Sequence, residues 1–361
     1  MGFYEASVDS CYKNINKASF IGNPLMKKEA LFWKPGKNET VQCLLCPHHC
    51  VIAHGKHGIC GVRENEHGRL FSLIFGSCSS IAADPIEKKP LYHFFPGSHV
   101  LSFGSVGCTL RCDHCQNYHI SMAKPDDATM QEIPPEAVSA MAVDQGCQGV
   151  AWTYNEPTIW HEYTLQTAKL VKEAGLYTVY VTNGYIEEEP LKNIAPYLDA
   201  MNVDVKGFHD EFYTTICKAS LQPVLRTCER AKHLDIHLEL TYLVIPGKND
   251  DVSEVTGFCK WVAESLGVET PVHFSRFHPE YKMTDIKPTP TQSLLTCYGI
   301  AKKAGLQFVY LGNIPHGDYD NTYCPSCHNL LIERYGFSAR VKGLVKNRCF
   351  ACGVTIPIRL E

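Results

Sequence analysis

The sequence has no excess of basic charge, no long apolar run, no low-complexity segment and no repeat beyond its paired cysteines. Its 34 Lys and Arg face 38 Asp and Glu, which gives a formal net charge of −4. Nucleic-acid binding needs a basic face, so we expect no nucleic-acid partner. No stretch is long enough to span a membrane, and the polar N-terminus lacks the apolar core of a signal peptide. We therefore expect a cytoplasmic protein with no membrane partner.

Cysteine, by contrast, is abundant, with 18 in 361 residues. The cysteines are too clustered, and the chain is too long, for a secreted disulfide scaffold. Eleven fall into three groups, which indicates metal binding in a reducing, anaerobic cytoplasm. We expect most of the other seven to be small core residues. These are Cys11, Cys78, Cys147, Cys217, Cys228, Cys259 and Cys297.

The central group consists of Cys108, Cys112 and Cys115, spaced so that one loop can aim three thiolates at one point. Thiolates are the ligands of iron–sulfur clusters, and a cubane takes one for each iron. Three ligands leave one iron open, as a catalytic metal site requires. A zinc loop is the alternative, but zinc sites normally use C-x2-C pairs and four ligands. The spacing therefore predicts a 4Fe–4S cluster with an open iron.

Strand-like and helical segments alternate between residues 99 and 314. Such alternation implies right-handed crossovers and a parallel sheet. We predict an α/β fold with an open or partial barrel, whose functional residues lie at the carboxyl ends of the strands. The cysteine loop follows the first strand and therefore lies at that edge. The predicted strands are 99–106, 149–155, 177–183, 200–206, 237–245, 271–277 and 308–314.

Two smaller regions, 1–95 and 316–361, flank the predicted barrel at 96–315. The first is rich in Lys, Asn and His, and each contains one of the remaining cysteine groups. Neither region is long enough for an ordinary core without a staple, which a metal can provide. We therefore predict three units, of which the outer two are stabilised by metal.

The C-terminal region has two C-x2-C pairs separated by 21 residues, Cys324 with Cys327 and Cys349 with Cys352. Two such pairs at this distance are typical of a four-thiolate site in a zinc ribbon or a rubredoxin-like fold. Zinc is the favoured metal. Rubredoxin-type iron and an iron–sulfur centre remain alternatives.

The N-terminal group is less regular, because only one true C-x2-C pair occurs in it. An auxiliary iron–sulfur cluster and a structural zinc are both compatible with this spacing. The ligands would be Cys43, Cys46, Cys50 and Cys60, with His48 and His49 as replacement ligands. The metal at this site is left open.

The C-x3-C-x2-C pattern of Cys108, Cys112 and Cys115 looks like the signature of the radical S-adenosylmethionine (SAM) superfamily. The block 101–250 resembles in particular the activases of glycyl radical enzymes, such as pyruvate formate-lyase activating enzyme. The resemblance implies a partial (β/α)6 TIM-like barrel of the radical SAM type. It also implies that the amino and carboxylate groups of SAM chelate the open iron.

The same resemblance assigns SAM contacts to residues at the strand ends. Tyr-Asn-Glu-Pro replaces the Gly-Gly-Glu-Pro-like motif of the activases, so Asn155 and Glu156 take over the contact with the SAM amino group. Asp204 and Lys206 match an Asp-x-Lys pair that holds the ribose and methionine ends of SAM. The alternatives are a helix cap for Glu156 and an ordinary ion pair for Asp204 and Lys206.

Three further matches complete the implied SAM site. Thr182 and Asn183 belong to a Thr-Asn-Gly stretch, although Val181 stands where the activases often have aspartate. His114 replaces an aromatic residue that packs on adenine, and an imidazole can still stack. His278 matches a SAM-contacting histidine, with an ordinary strand-end histidine as the alternative.

Most of the chain, rather than its middle alone, resembles radical SAM enzymes of the AmmeMemoRadiSam system. The similarity includes both outer cysteine groups, so it extends over all three predicted units. The segments that carry it are 43–50, 58–65, 84–91, 115–117 and the last cysteine pairs.

The resemblance also implies a reaction. One electron from flavodoxin or ferredoxin leads to cleavage of SAM into methionine and a 5′-deoxyadenosyl radical, which abstracts hydrogen from a protein or small-molecule substrate. We expect Arg111, Asn117 and Tyr118 to tune the cluster potential. The alternative is a non-catalytic electron-transfer protein or metal carrier. Glu156, Asp204 and Lys206 favour the enzyme, because a carrier needs no pocket for a zwitterion.

Overall fold

The structure is a computed structural model that describes residues 27–314 and 318–360. Cys11 and the predicted boundary between residues 315 and 316 lie outside these residues. Helices and strands alternate through the middle of the described chain, and short strands make up its two flanks.

The bounds of the regular elements follow the chain from the N-terminal flank to the C-terminal flank. The strands of the described residues are β1 (Lys28–Glu29), β2 (Trp33–Pro35), β3 (Val41–Cys43), β4 (Val51–Ile52), β5 (Arg63–Glu66), β6 (Arg69–Ser72), β7 (Ser77–Cys78), β8 (Ser80–Pro85), β9 (His99–Gly104), β10 (Gln131–Glu132), β11 (Gly149–Trp152), β12 (Tyr177–Thr182), β13 (Ala200–Asp204), β14 (His237–Val244), β15 (Val272–Arg276), β16 (Val309–Gly312), β17 (Thr322–Tyr323), β18 (Leu330–Tyr335), β19 (Ser338–Val341), β20 (Leu344–Val345) and β21 (Arg348–Cys349). The α-helices there are α1 (Tyr118–Ser121), α2 (Pro135–Asp144), α3 (His161–Glu173), α4 (Glu188–Ile194), α5 (Asp210–Phe212), α6 (Leu221–His233), α7 (Val252–Trp261) and α8 (Thr291–Lys303).

An eight-stranded sheet, in the order β16-β15-β14-β13-β12-β11-β9-β8, forms the centre of the described chain. All its strands except β8 are parallel neighbours, and they are the strands predicted from the sequence. The predicted α/β fold with a partial barrel-like parallel sheet is therefore confirmed, with seven parallel strands rather than the six of a (β/α)6 barrel. Strand β8 pairs antiparallel with β9. It escapes the prediction because Ser-Ile-Ala-Ala-Asp-Pro has a single β-branched residue.

The composition of the strands and helices explains their positions. Strand β12 reads Tyr-Thr-Val-Tyr-Val-Thr, and such β-branched and aromatic runs suit a strand that is buried on both faces. Helix α3 places Tyr163, Thr167 and Val171 along one buried face. The register pairs Thr182 with Val203 and Asp204 with Thr241. The carboxyl ends of these strands therefore lie at one edge, and the residues that follow them are neighbours.

The N-terminal strands form two small antiparallel sheets, β2-β3-β4 and β1-β6-β5. Arg63 of β5 and Glu162 of α3 form an ion pair whose side chains are 1% and 3% exposed. Charges removed from water are tolerated only where they are well paired, so this contact fixes the N-terminal region against α3.

The C-terminal strands share a buried apolar cluster with the barrel. Tyr310 of β16 and Tyr92 pack with Leu331, Ile332 and Ile356 in this cluster. The division into 1–95, 96–315 and 316–361 stays a prediction, and β8 of the first range is part of the central sheet. None of the helices in the described ranges is long and apolar enough to cross a membrane.

A buried polar network lies beside this cluster. Glu239 accepts hydrogen bonds from the backbone N–H groups of Tyr92 and His93, at 3.0 and 2.7 Å. Its carboxylate also contacts Nε2 of His237 and of His273, at 3.0 and 2.7 Å. Although burial opposes ionisation, the two histidines hold the pKa of Glu239 well below its ordinary value.

His93 makes the stability of this network depend on pH. Its Nε2 and the Tyr310 hydroxyl are 2.6 Å apart, and burial lowers the pKa of His93 to about 3. The unfolded chain takes up the proton first as the pH falls below about 6.5, because that is the ordinary histidine pKa. His93 alone should therefore lower the free energy of unfolding by up to about 1.4 kcal/mol for each pH unit below 6.5.

Anaerobic thermal unfolding between pH 5 and 7.5 checks this prediction. The His93→Gln variant has no titratable side chain at this position. We therefore expect its unfolding temperature to depend less on pH than that of the parent. An equally steep dependence in the variant would show that other groups cause it.

Candidate active site

The central cysteine loop follows β9 at the carboxyl edge of the sheet. Gly107 begins the loop with φ +85°, and a Cβ there would lie 2.6 Å from the carbonyl oxygen of Cys60. Only glycine meets both conditions. Further along, the N–H of Arg111 donates to the carbonyl oxygen of Cys217 at 3.0 Å. The loop is therefore held by the N-terminal region on one side and by the turn that contains Cys217 on the other.

The sulfurs of this loop lie in a largely water-free environment. Cys108 and Cys112 are buried, and Cys115 is half-buried. The N–H of Leu110 and Nδ2 of Asn183 lie 3.4 and 3.5 Å from Sγ of Cys108 and donate to it. Burial raises the pKa of Cys108 and of Cys115, so the thiolates need a bound cation. The donor set therefore fits a metal cluster.

A fourth cysteine, Cys217, lies against Cys112. The pKa of Cys112 is raised well above the ordinary thiol value. The hydrogen bond with Cys217 is the largest cause, and burial is the second. Cys217 is fully buried at the end of a π-helical turn, Tyr213–Cys217. The sequence predicts an ordinary core residue at this isolated position, and only the fold brings it to the loop. Cys217 therefore lies beside the central cysteine loop in the folded chain, although it is distant from that loop in sequence.

Glu156 is fully buried and bonded within the protein. Its Oε1 accepts hydrogen bonds from the N–H of Thr158 at 2.9 Å and from the Thr182 hydroxyl at 2.7 Å. Its Oε2 accepts from the N–H of Asn183 at 2.9 Å. Burial raises the pKa of Glu156, and these three hydrogen bonds oppose that rise. Glu156 therefore caps the following turn and positions the Thr182–Asn183 segment, while its direct contact with SAM stays a prediction.

Two asparagines brace the cysteine loop against the segment that follows β11. Asn155 accepts from the N–H of Ser105 at 3.1 Å and donates to the carbonyl oxygen of Gly107 at 3.0 Å. Asn117 donates to the carbonyl oxygen of Tyr154 at 2.6 Å. The entry to the loop and its exit are thus fixed by the same neighbouring segment.

Asp204 and Lys206 form an ion pair beside the loop. Lys206 Nζ lies 2.7 Å from Asp204 Oδ2, and the two side chains are 17% and 32% exposed, respectively. Burial lowers the pKa of Lys206, but the negative charges of Asp204 and Cys112 outweigh burial and raise it. Lys206 is therefore a cation close to a cysteine ligand and is still accessible from the edge of the sheet.

His114 is buried beside the same lysine. Its ring centroid lies 6.0 Å from that of Phe212, and its Nδ1 has no hydrogen-bond partner among the described residues. Burial, together with the charge of Lys206, lowers the pKa of His114 to about 3. Its buried Nδ1 is therefore a polar atom that the described part of the chain leaves without a partner, and the contact of His114 with adenine stays a prediction.

The remaining predicted residues make contacts that do not involve the sulfurs. His278 is exposed beyond the end of β15, so its SAM contact stays a prediction. Arg111 donates to the carbonyl oxygens of Cys108 and Ile59. Tyr118 stacks on Tyr281 with centroids 4.6 Å apart. Their effect on the cluster potential also stays a prediction.

The C-terminal cysteines form a second candidate metal site. Sγ of Cys324 lies 3.6 Å from Sγ of Cys352, and Sγ of Cys327 lies 3.6 Å from Sγ of Cys349. All four sulfurs lie within 4.8 Å of one another. This convergence fits a zinc-ribbon module and can hold a metal ion.

Comparisons with known proteins identify the superfamily. An uncharacterized protein of Methanocaldococcus jannaschii is 45% identical over 335 residues, which cover 92% of this chain and 100% of that protein. The sequence profile of the radical SAM superfamily matches residues 103–259. The chain belongs to the radical SAM superfamily. The match includes the central cysteine loop of this radical SAM protein and its Asp204–Lys206 pair.

The activases of glycyl radical enzymes are more distant relatives of this radical SAM protein. Pyruvate formate-lyase 1-activating enzyme of Escherichia coli K12 is 23% identical over 232 residues, which cover 60% of this chain and 93% of that enzyme. Among solved structures, Streptococcus suis SuiB bound to SAM has a TM-score of 0.47 at 14% identity, covering 59% of this chain and 52% of that one. Membership in the superfamily and the relationship to activases support SAM cleavage at an iron–sulfur cluster.

Proposed function

We propose that the chain is a SAM-cleaving enzyme that abstracts hydrogen from a protein or small-molecule substrate, as an activase does. Cys108, Cys112 and Cys115 hold the 4Fe–4S cluster, and the fourth iron is left to SAM. The observation that supports this proposal best is the position of the Asp204–Lys206 pair beside the buried cysteine loop.

The residues around the loop have separate roles in this proposal. Lys206 offers a cation to the SAM carboxylate, and Asp204 accepts a hydrogen bond from a ribose hydroxyl group of SAM. The ring of His114 stacks on the adenine, and Asn183 donates to Cys108. When bound, the reduced cluster supplies the electron that splits SAM into methionine and a 5′-deoxyadenosyl radical. The chain itself positions the reactants and excludes water.

The remaining assigned contacts complete the proposed site. Asn155 and Glu156 fix the segments on either side of SAM, and Thr182 is held by Glu156. His278 closes over SAM from the end of β15. The electron comes from flavodoxin or ferredoxin in a reducing cytoplasm.

Anaerobic incubation of the reconstituted chain with dithionite and SAM tests the proposed function. Steady release of 5′-deoxyadenosine is expected, and its complete absence would favour a metal carrier. Candidate substrates are then added in deuterated form. The true substrate should stimulate SAM cleavage and transfer deuterium to 5′-deoxyadenosine, because the radical takes its hydrogen from that substrate.

The C-terminal site is proposed to hold zinc. Four sulfurs around one zinc at a Zn–S distance of about 2.3 Å are about 3.8 Å apart, close to the spacing between these cysteines. The Cys327→Ser/Cys352→Ser variant should therefore lose about one zinc per chain and unfold at a lower temperature. Elemental analysis and thermal unfolding measure both effects.

Cys297→Ser is the control for the zinc content, because Cys297 lies outside the three cysteine groups. It should keep its zinc. Iron in place of zinc in the parent protein, with the visible absorption of a rubredoxin, would contradict the assignment.

A further inference from the structure

The four N-terminal cysteines line one pocket. Its volume is about 350 Å³, including the opening to solvent. The pocket lies between the β3–β4 hairpin and the loop before β5. The N–H of Cys43 donates to the carbonyl oxygen of Cys50 at 2.9 Å, which closes the hairpin. The residues that line the pocket include Cys43, Cys46, Cys50 and Cys60.

The spacing of these sulfurs separates them from the C-terminal site. Among the described residues, the C-terminal cysteines are the group of metal-binding side chains whose ligand atoms all lie within 4.8 Å of one another. Neither the N-terminal four nor the central three converge so closely. One metal ion draws its thiolates into contact, whereas the thiolates of a cluster bind different irons and stay farther apart. By this measure the N-terminal group resembles the central group.

The two histidines near the pocket are engaged elsewhere. Nε2 of His48 lies 2.7 Å from the carbonyl oxygen of Thr109 in the central loop. Nε2 of His49 lies 3.0 Å from Oε1 of Glu187. Nε2 of both histidines is therefore engaged within the protein, and the four thiolates are the main donors of this pocket.

Arg63 supplies a buried positive charge to the pocket. Its Nη1 lies 3.4 Å from Sγ of Cys43 and donates to it. The guanidinium is also paired with Glu162. A cluster with four thiolate ligands is an anion, and a buried cation that donates to one of its sulfurs lowers the cost of its burial.

The pocket is in direct contact with the central cysteine loop. The carbonyl oxygen of Cys60 faces Gly107, where a Cβ would lie 2.6 Å away. Arg111 of the central loop donates to the carbonyl oxygen of Ile59, the residue before Cys60. Thr109 lines the pocket itself. The two cysteine groups are therefore separated by one layer of backbone.

From these contacts we infer that Cys43, Cys46, Cys50 and Cys60 hold a second iron–sulfur cluster, not zinc, directly beside the cluster loop of the proposed SAM site. Because the chain supplies four thiolates, each iron of a cubane has its own ligand and none is open to a substrate. The chemistry left to this cluster is electron transfer. It would accept one electron from a reduced flavoprotein or ferredoxin, and would be reoxidised by passing that electron to the neighbouring central cluster.

Acid-labile sulfide is the measurement that separates the two metals, because neither a zinc site nor a rubredoxin-type C-terminal site contains any. The full-length chain is reconstituted anaerobically with iron and sulfide, and both are counted per chain. The parent should contain about eight of each, since a cubane contains about four. The Cys108→Ala/Cys112→Ala/Cys115→Ala variant should keep about four sulfides.

The complementary variant keeps the inference testable if that triple variant does not fold. Cys46→Ser/Cys50→Ser changes the N-terminal group alone and should lose about four sulfides. Circular dichroism and the metal content of the C-terminal site serve as folding controls for both variants. A folded triple variant without sulfide, or a Cys46→Ser/Cys50→Ser variant with the full parental sulfide, would overturn the inference.

A spectroscopic test distinguishes this inference from the proposed function. After reduction, the triple variant should show the paramagnetic signal of one cluster, and adding SAM should leave that signal unchanged. A signal that SAM alters would contradict four-cysteine ligation. The sulfide content and the spectra decide the inference about the N-terminal cysteines. The release of 5′-deoxyadenosine decides the proposed function, so the two can fail independently.

Discussion

Replacement of Cys112 by alanine is expected to abolish the formation of 5′-deoxyadenosine. Cys112 is buried in the middle of the central cysteine loop, and no other residue of the loop can take over its iron. Loss of one of three ligands releases the cluster or leaves it unable to present an open iron to SAM. Anaerobic assay with dithionite and SAM measures the product, and iron and sulfide analysis measures the cluster.

Cys217→Ala is the matched control, because Cys217 lies against Cys112 and is equally buried. The substitution removes one sulfur atom from the core and should cost about 1 kcal/mol of stability. We expect the Cys217→Ala variant to keep the cluster and to form 5′-deoxyadenosine. Normal turnover in Cys112→Ala, or loss of the cluster in Cys217→Ala, would contradict the assignment of ligands.

Lys206→Met is expected to lower kcat/KM for SAM on the order of 100-fold. Bound SAM would bury the contact between Lys206 and the SAM carboxylate. Truncating one partner of such a buried charge pair costs about 2–5 kcal/mol, and each 1.4 kcal/mol is about tenfold. Methionine preserves the apolar stem of lysine but leaves the SAM carboxylate without its cation. SAM concentration series with the anaerobic assay give kcat and KM separately. The loss should fall mainly on KM, since the pair acts in binding.

Lys192→Met is the control for this variant. Lys192 is exposed on α4, where it pairs with Glu188 and Glu189. Exposed ion pairs contribute little, so kcat/KM for SAM should stay near that of the parent. If Lys206→Met kept the KM of the parent with a full complement of iron and sulfide, the pair would have only a structural role.

The sequence predicts the barrel well, because its parallel strands are buried on both faces and stand out as β-branched and aromatic runs. Strand β12 is an example. The edge strand β8 lacks such a run and becomes recognisable only through its pairing with β9. The sequence pattern indicates burial of a strand on both faces, and an edge strand of small residues carries too little of that signal.

The candidate site is predictable where residues are close in sequence and not where the fold brings them together. The spacing of Cys108, Cys112 and Cys115 is visible in one loop. The contact between Cys217 and Cys112 depends on the turn after α5, and nothing in the local sequence marks it. Glu156 shows a related limit, because its capping role and its proposed SAM contact predict the same sequence pattern.

The two outer cysteine groups differ in the same way. The C-terminal pairs have the spacing of a four-thiolate site, and their sulfurs converge in the structure. The N-terminal group leaves zinc and an iron–sulfur cluster open in the sequence. Its wider arrangement and its contact with Gly107 are properties of the folded chain. Distances between sulfurs, rather than their spacing along the chain, carry the distinction.

The central claim is that three cysteines hold a cluster whose fourth iron binds SAM, and electron–nuclear double resonance tests it most directly. The reduced protein is frozen with SAM that carries ¹⁵N at its amino group. We expect a hyperfine coupling from that nitrogen, retained in Cys217→Ala and absent in Cys112→Ala. A cluster that shows no coupling to labelled SAM, with Cys217 as its fourth ligand, would contradict the claim.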